Sequence, residues 1–546
     1  MKTVLLKTSI LLLCCVLTLR AQCPIAATNP AGTLFPGGRG EDQLVLYTDS
    51  YGKPTTGTNV YGVEAIANER YVVTSVGGNN SPIRKGEIIL SGHGIGRDWI
   101  LENVRPGAKL VLAGNQVMVG YDAESVAYFA KIRLEELREK MSKMKNGLTS
   151  GERKKAAALL SRAAQLAVEA SVASVPLFDE ADYAMTVSPE KEKRGLWHRP
   201  TERTAAAVES TVTKFANAGF NMLFVETIWR GETIYPGSIT QQKEYFVGFD
   251  PLRAFILSGR KHGVEIHAWV HTFFVGYLGR SEEQSVGPIL TQHPEWALVK
   301  RNGETVSSAE EGYLYVCPAR PAVQDYIASL YREIRSSYPG VAGLHLDYVR
   351  YPANTTLEES SCYCDYCRHE FQKLSGVDPR GITPESDPKT WGRWLQWKED
   401  RITAFVRLVR AENPDAVLSA AVFPDLAEAR GKKMQNWNAW AHERTVDFLA
   451  PMIYSSDAGY VTEALAGMHS LVGQDFPLYA GLAPFLKLTP AMMLRQIEAV
   501  RDAGSAGIIL FATQSITDRQ LHLFRAGVFR NRRPVHSSTT QRRSLP

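Results

Sequence analysis

The sequence predicts an α/β fold, a (β/α)8 TIM barrel preceded by a small β-rich module and a helical hairpin. Three observations lead there. From Arg194 onward, short apolar runs alternate with amphipathic stretches, the pattern of a parallel sheet with crossover helices. Eight such runs occur over about 330 residues, enough to close a barrel with insertions. Before Arg194 the composition changes once, from Gly- and Pro-punctuated β-type runs to a segment rich in Leu, Ala, Lys and Glu.

At 546 residues the chain exceeds one ordinary domain, and its 44% hydrophobic and 22% charged residues describe a globular protein with a large core. A net charge of +5 is small for this length, and part of it sits in Arg530, Arg532, Arg533, Arg542 and Arg543 of a basic tail over residues 530–546, so nucleic acid is not implied as a partner. Residues 1–21 carry Lys2 and Lys7, an apolar run from Ile10 to Leu17, and Leu19-Arg20-Ala21 before Gln22. That order predicts a secretory signal peptide and a secreted or periplasmic protein, and no later stretch predicts a transmembrane segment. Gln22 before Cys23 argues against a lipoprotein. Oligomeric state leaves no mark on the sequence.

Residues 22–120 read as the β-rich module, with short runs at Gln43–Thr48, Gly62–Ile66, Tyr71–Val76, Glu87–Leu90 and Leu110–Leu112. Ser91-Gly92-His93-Gly94 within it reads more readily as a tight turn than as a site. Residues 121–190 read as a helical hairpin and linker, with helices over 123–146 and 151–175. The barrel spans 191–529, with strands expected at Arg194–Trp197, Asn221–Thr227, Val264–His271, Gly343–Arg350, Val417–Pro424, Asp447–Tyr454, Pro477–Pro484 and Gly507–Thr513. The longest insertions follow the third and fourth strands.

In such a barrel the chemistry sits at the C-terminal strand ends. Those ends carry Glu226, Trp229 and Arg230 after the second strand, His271 after the third, and Asp347 and Arg350 after the fourth. Asp425 follows the fifth, Tyr454 and Asp457 the sixth, and Gln514 the eighth. Several carboxylates together with Trp197, Trp229, Trp269, Tyr348 and Tyr454 suit a polysaccharide or other glycan, because sugar faces stack on aromatic rings and hydroxyls pair with polar side chains. Glycosidic cleavage needs two carboxyls, one protonated and one ionised. Asp347 is the expected nucleophile or stabiliser, kept ionised with help from Arg350. Glu226 is the expected acid, its carboxyl raised by desolvation, with Asp457 and then Asp425 in reserve. His271, Arg230, Trp229, Arg350, Asp425, Tyr454 and Gln514 are the expected substrate-binding groups. The competing reading is a carbohydrate-binding or cell-envelope scaffold protein that has kept the barrel without catalysis.

Phe224–Pro236, His267-Ala268-Trp269, Gly343–Pro352 and Ala450–Tyr454 resemble the motifs of the glycosyl hydrolase-like 10 family, over about residues 193–520. That family includes bacterial cell-envelope proteins that act on peptidoglycan glycan strands. The resemblance implies a (β/α)8 barrel, O-glycosyl hydrolase activity and a nucleophilic role for Asp347. Glu226 stands where other members commonly carry Gln.

Cys362, Cys364 and Cys367 form a Cys-x-Cys-x-x-Cys run, with Cys317 upstream. Thiolates so spaced can share a structural, tetrahedral Zn²⁺, with His369 as reserve ligand. A disulfide plus free thiols is the alternative. The arrangement is similar to the structural zinc cluster of family 42 β-galactosidases. No organic cofactor is expected.

Overall fold

The computed structural model describes residues 18–29, 41–143, 148–169, 171, 173–280, 284–310, 312–354 and 356–531. The basic tail beyond 531 and residues 1–17 of the expected signal peptide lie outside these. The chain divides into two compact units, one of residues 1–187 with 486–492, the other of 188–485 with 493–546.

The first unit holds a seven-stranded sheet in the spatial order Val73–Val76, Val63–Ala67, Ile88–Gly92, Leu44–Tyr47, Thr18–Thr28, Gln116–Tyr121 and Lys109–Ala113. A bridge from Val72 to Lys109 ties the first strand of that order to the last. The alternating apolar residues of these strands, among them Leu44, Leu46, Val63, Ala65, Leu90, Val117 and Val119, meet in one core. Two strands were not expected from the sequence. One is Gln116–Tyr121, and the other, Thr18–Thr28, begins within the stretch expected to end at Ala21 as a signal peptide. Ser91 and Gly92 close a strand, and the helix Gly94–Asn103 starts two residues later.

The helical segment has three helices, Ala123–Lys143, Ser150–Val168 and Ser174–Ala184, where two were expected. The second starts at a reciprocal cap in which Thr149 and Glu152 each satisfy the other's backbone N–H. Phe129, Leu137, Leu160, Phe178 and Met185 form its core, which takes in Val72 of the β-module but is otherwise separate from that module's own.

The second unit is the barrel. Its eight parallel strands are Lys193–His198, Met222–Trp229, Glu265–His271, Gly343–Asp347, Val417–Val422, Phe448–Pro451, Tyr479–Leu482 and Gly507–Phe511. Neighbours pair in sequence order, the last strand returns to the first, and bridges Leu449–Leu478 and Met452–Gly481 close the circle. Helices such as Ala205–Asn217, Pro251–His262, Pro321–Ser337 and Pro388–Glu412 cross over between strands. Pro at the first helical position and Asp250 or Asp387 as the cap fix where two of them begin.

Every second residue of each strand points inward, and Trp197, Phe224, Trp269, Phe448, Ala450 and Ile509 fill the interior. Burying side chains of this size stabilises by about 1.5–3 kcal/mol each. Trp197 and Trp269 are only 1% exposed, so they are core residues and cannot be the sugar-stacking surfaces expected of them. Space on the axis is tight: a Cβ on Gly343 would lie 2.4 Å from His267 Nδ1. Within this core Trp197 Nε1 donates to His345 Nε2 at 3.1 Å, so His345 carries its proton on Nδ1 and donates it to Ser419 Oγ at 2.8 Å. Burial, with His267 and His271 nearby, pushes His345 well below the ordinary range and keeps it neutral.

Candidate active site

Parallel register brings three polar groups to one end of the barrel. Trp269 lies opposite Glu226, and His271 opposite Asp347. Just past Glu226 the pairing slips, Val270 meeting Ile228, so that Thr227 is an extra residue on the second strand. Such a bulge re-aims the side chains around it.

Asp347 ends the fourth strand and is 9% exposed. Trp269 Nε1 donates to its Oδ2 at 2.9 Å, and the Tyr348 backbone N–H donates to its Oδ1 at 2.7 Å. Tyr348 holds φ +50°, the left-handed region, which costs a non-glycine residue about 1–3 kcal/mol. That turn points the Tyr348 amide back at the carboxylate. Strand three reinforces it, since the Thr272 N–H donates to the Asp347 carbonyl at 2.8 Å.

Glu226 lies beside a histidine and an arginine. Its Oε1 is 3.3 Å from His271 Nε2 and 3.2 Å from Arg199 Nε. Burial raises the carboxyl, but His271 and Arg199 outweigh it and hold Glu226 below its ordinary value. This reverses the expected rise: desolvation is present, but hydrogen-bonding and charged partners prevail. His271 itself packs between Trp269 and Tyr348, at ring distances of 5.0 and 4.9 Å.

Arg350 does not contact Asp347 through an ion pair. It meets Glu310 at 2.8 Å, stacks over Tyr348 at 4.8 Å, and donates to the Tyr351 carbonyl. Glu310 also accepts from the Tyr315 hydroxyl. Glu310, Tyr313 and Tyr315 come from the insertion after strand three, which forms a three-stranded sheet of Phe274–Tyr277, Tyr313–Tyr315 and Val306–Ser307. Phe274 and Tyr313 pack at 4.3 Å with their rings tilted, and Phe274 lies 5.2 Å from Tyr348. Sequence reading named Tyr348 but missed Arg199, Glu310, Phe274 and Tyr313. The Arg199 position, directly after the first strand, was a signal available to it; the pairing of Glu310 across an insertion was not.

The other expected residues are spread more widely. Arg230, at φ +54°, lies 3.5 Å over the half-buried Trp229 ring, with Lys243 Nζ 4.7 Å from the same ring. The Tyr454 ring packs on Phe511 at 5.6 Å and Phe485 at 5.4 Å, and burial, then the nearby Asp347 charge, pushes its hydroxyl well up. Asp457 accepts from the Gly459 N–H as the cap of Ala458–Val472, and exposed Asp425 accepts from the Glu428 N–H as the cap of Leu426–Lys433. Each spends a carboxylate oxygen on a helix start. Gln514 is exposed in the short turn Thr513–Ser515.

Beside the strand-four exit, Cys317, Cys362, Cys364 and Cys367 are buried with all four sulfurs within 4.8 Å of one another. The Cys317–Cys367 and Cys317–Cys364 separations are 3.3 and 3.7 Å. A disulfide needs about 2.05 Å, whereas four sulfurs about 2.3 Å from a tetrahedral ion stand about 3.8 Å apart. The donor set therefore fits a metal ion. Burial pushes the Cys317 and Cys367 thiols up, while the neighbouring sulfurs of Cys317, Cys362 and Cys367 pull Cys364 down. His369 is outside the cluster, exposed and 3.5 Å from Glu370.

Among curated proteins, the chain is 24% identical over 298 residues to glycosyl hydrolase DigH of Escherichia coli strain K12, covering 47% of this chain and 60% of that one. It is 22% identical over 292 residues to DigH of E. coli O6:H1, with the same coverage. The match thus spans about 60% of the length of these relatives. The catalytic domain of β-amylase from Paenibacillus polymyxa superposes with a TM-score of 0.47 at 10% identity, over 64% of this chain and 100% of that one. The Glycosyl hydrolase-like 10 family matches residues 194–474, more than half of the 546, and the chain belongs to that family.

Proposed function

We propose that this chain is an exported glycoside hydrolase that cleaves O-glycosidic bonds of a polysaccharide, with the amino-sugar strands of peptidoglycan as its first substrate class. The observation that carries the reading is Asp347, a carboxylate at the end of barrel strand four with each oxygen held by one donor, Trp269 Nε1 and the Tyr348 amide. Held in that way, it is preorganised to attack or to stabilise an oxocarbenium-like centre. The second carboxyl is Glu226. With His271 Nε2 3.3 Å and Arg199 Nε 3.2 Å away, its carboxyl is held low and is suited to take a proton from water. Half-buried Tyr313, Tyr348, Tyr454 and Phe511 provide rings for sugar faces.

Export is supported by the order of residues 1–21, and an oxidising destination is compatible with thiols protected by burial. We assign the four cysteines to one structural Zn²⁺. It would brace the insertions after strands three and four, and four sulfurs leave no open position for chemistry.

Turnover of peptidoglycan strands freed of peptide, measured for the native protein and for Asp347→Asn, tests the assignment. The substitution should lower kcat by several orders of magnitude while Tm stays within a few degrees. Near-normal turnover by Asp347→Asn would move the active carboxylates elsewhere. Glycan binding without turnover by the native protein would make the barrel a binding protein.

A further inference from the structure

Arg199 has more hydrogen-bonding capacity than its one partner uses. It follows directly on the first strand, and its Nε donates to Glu226 Oε1 at 3.2 Å. Its guanidinium lies 5.7 Å from the Trp269 ring centroid and 5.3 Å from that of Phe511. Rings at these distances favour one orientation of the guanidinium plane. Yet the side chain is 44% exposed, and among the described residues its two terminal nitrogens donate to nothing. A residue kept only to neutralise Glu226 would not need this outer edge open to the cleft. Lys243 repeats the arrangement after the second strand: its ammonium sits over Trp229 without an ion pair among the described residues. The ends of strands one and two are therefore each followed by a cationic group lying against aromatic rings.

We propose that Arg199 is a specificity-determining residue that binds, through Nη1 and Nη2, a carboxylate carried by one sugar of the substrate. The fork of two parallel N–H groups matches a carboxylate in two-point geometry and matches a lone hydroxyl poorly. Two sugar types present that group, one bearing a lactyl ether, as in muramic acid, and a uronic acid. This inference rests on the glycosidase reading and refines its substrate class.

The test is binding, measured by calorimetry with the full chain carrying Asp347→Asn, so that no ligand is consumed. Four probes are compared: peptide-free strands of alternating N-acetylglucosamine and N-acetylmuramic acid, the same strands with the lactyl carboxyl reduced to an alcohol, hyaluronan oligosaccharides, and neutral chitin oligosaccharides. An acidic probe should bind about 10- to 100-fold more tightly than its neutral counterpart, the range expected for a two-point hydrogen bond to a charged group. Which acidic probe does so identifies the lactyl ether or the uronate as the source. Adding Arg199→Gln should bring the ratio of acidic-probe to neutral-probe affinity to about one, and Arg199→Lys should restore part of it. Equal binding of acidic and neutral probes, or a preference that survives Arg199→Gln, overturns the role of Arg199 and leaves the glycosidase reading standing. If no probe binds and the native protein cleaves none of them, both fall together.

Discussion

Replacing His271 with Gln tests whether Glu226 is held ionised by its buried neighbours. The two side chains are 2% and 9% exposed and 3.3 Å apart, so solvent screens them little. Desolvation of the carboxylate offsets part of any gain, and a polar contact to a charged group nets about 1.5–3 kcal/mol. The loss on His271→Gln should therefore be about 2 kcal/mol at neutral pH, with Arg199 still supporting the carboxylate. The folded-state pKa of Glu226 is depressed. Its contribution is therefore fully present above the unfolded carboxylate value and is lost as pH falls through the folded one. The deficit of His271→Gln should accordingly be largest near neutrality and shrink below about pH 4.5. Urea unfolding followed by tryptophan fluorescence is the assay, because Trp99 is the one tryptophan outside the barrel unit. A double-mutant cycle with Glu226→Gln isolates the pair. A coupling under about 0.5 kcal/mol, or a deficit that stays constant across pH, would refute the account.

Two further outcomes are expected. Protein purified without added metal should contain about one zinc per chain, and its removal should lower Tm, with activity following only as the fold loosens; zinc near zero, with disulfides mapped by mass among the four cysteines, would refute the assignment. Glu202 is raised by burial but lowered more strongly by His198, Thr211 and the Thr201 amide, to about 2 from 4.5. Stability should therefore fall as pH drops from about 4.5 towards 2, by up to about 3 kcal/mol. Glu202→Gln should flatten that limb, and a Tm-versus-pH curve that Glu202→Gln leaves unchanged would refute it.

What the sequence determined by itself was periodicity and local chemistry. The eight barrel strands were legible because alternating apolar runs such as Gly343–Asp347 bury one face after another. Asp347 was legible as a candidate because a polar residue closing such a run must lie at a strand end. The Cys-x-Cys-x-x-Cys run was legible because close spacing limits what thiols can do. The module was less so: Gln116–Tyr121 was not picked out as a run of its own, and Thr18–Thr28 shares residues with a signal-peptide pattern. The tertiary structure alone decided the partners. Arg350 sits three residues from Asp347 in sequence, yet the left-handed turn at Tyr348 sends it to Glu310, forty residues upstream in the chain. Glu226 was expected to be raised by burial, but a carboxyl's pKa depends on every charge within a few ångströms, and Arg199 and His271 come from two other strands. Trp197 and Trp269 look like sugar platforms in sequence and are core residues in space, because the inward face of a closed barrel buries whatever it carries. Which side chains meet at the barrel mouth is set by strand register and closure, and those are properties of the whole circle of strands that no single stretch encodes.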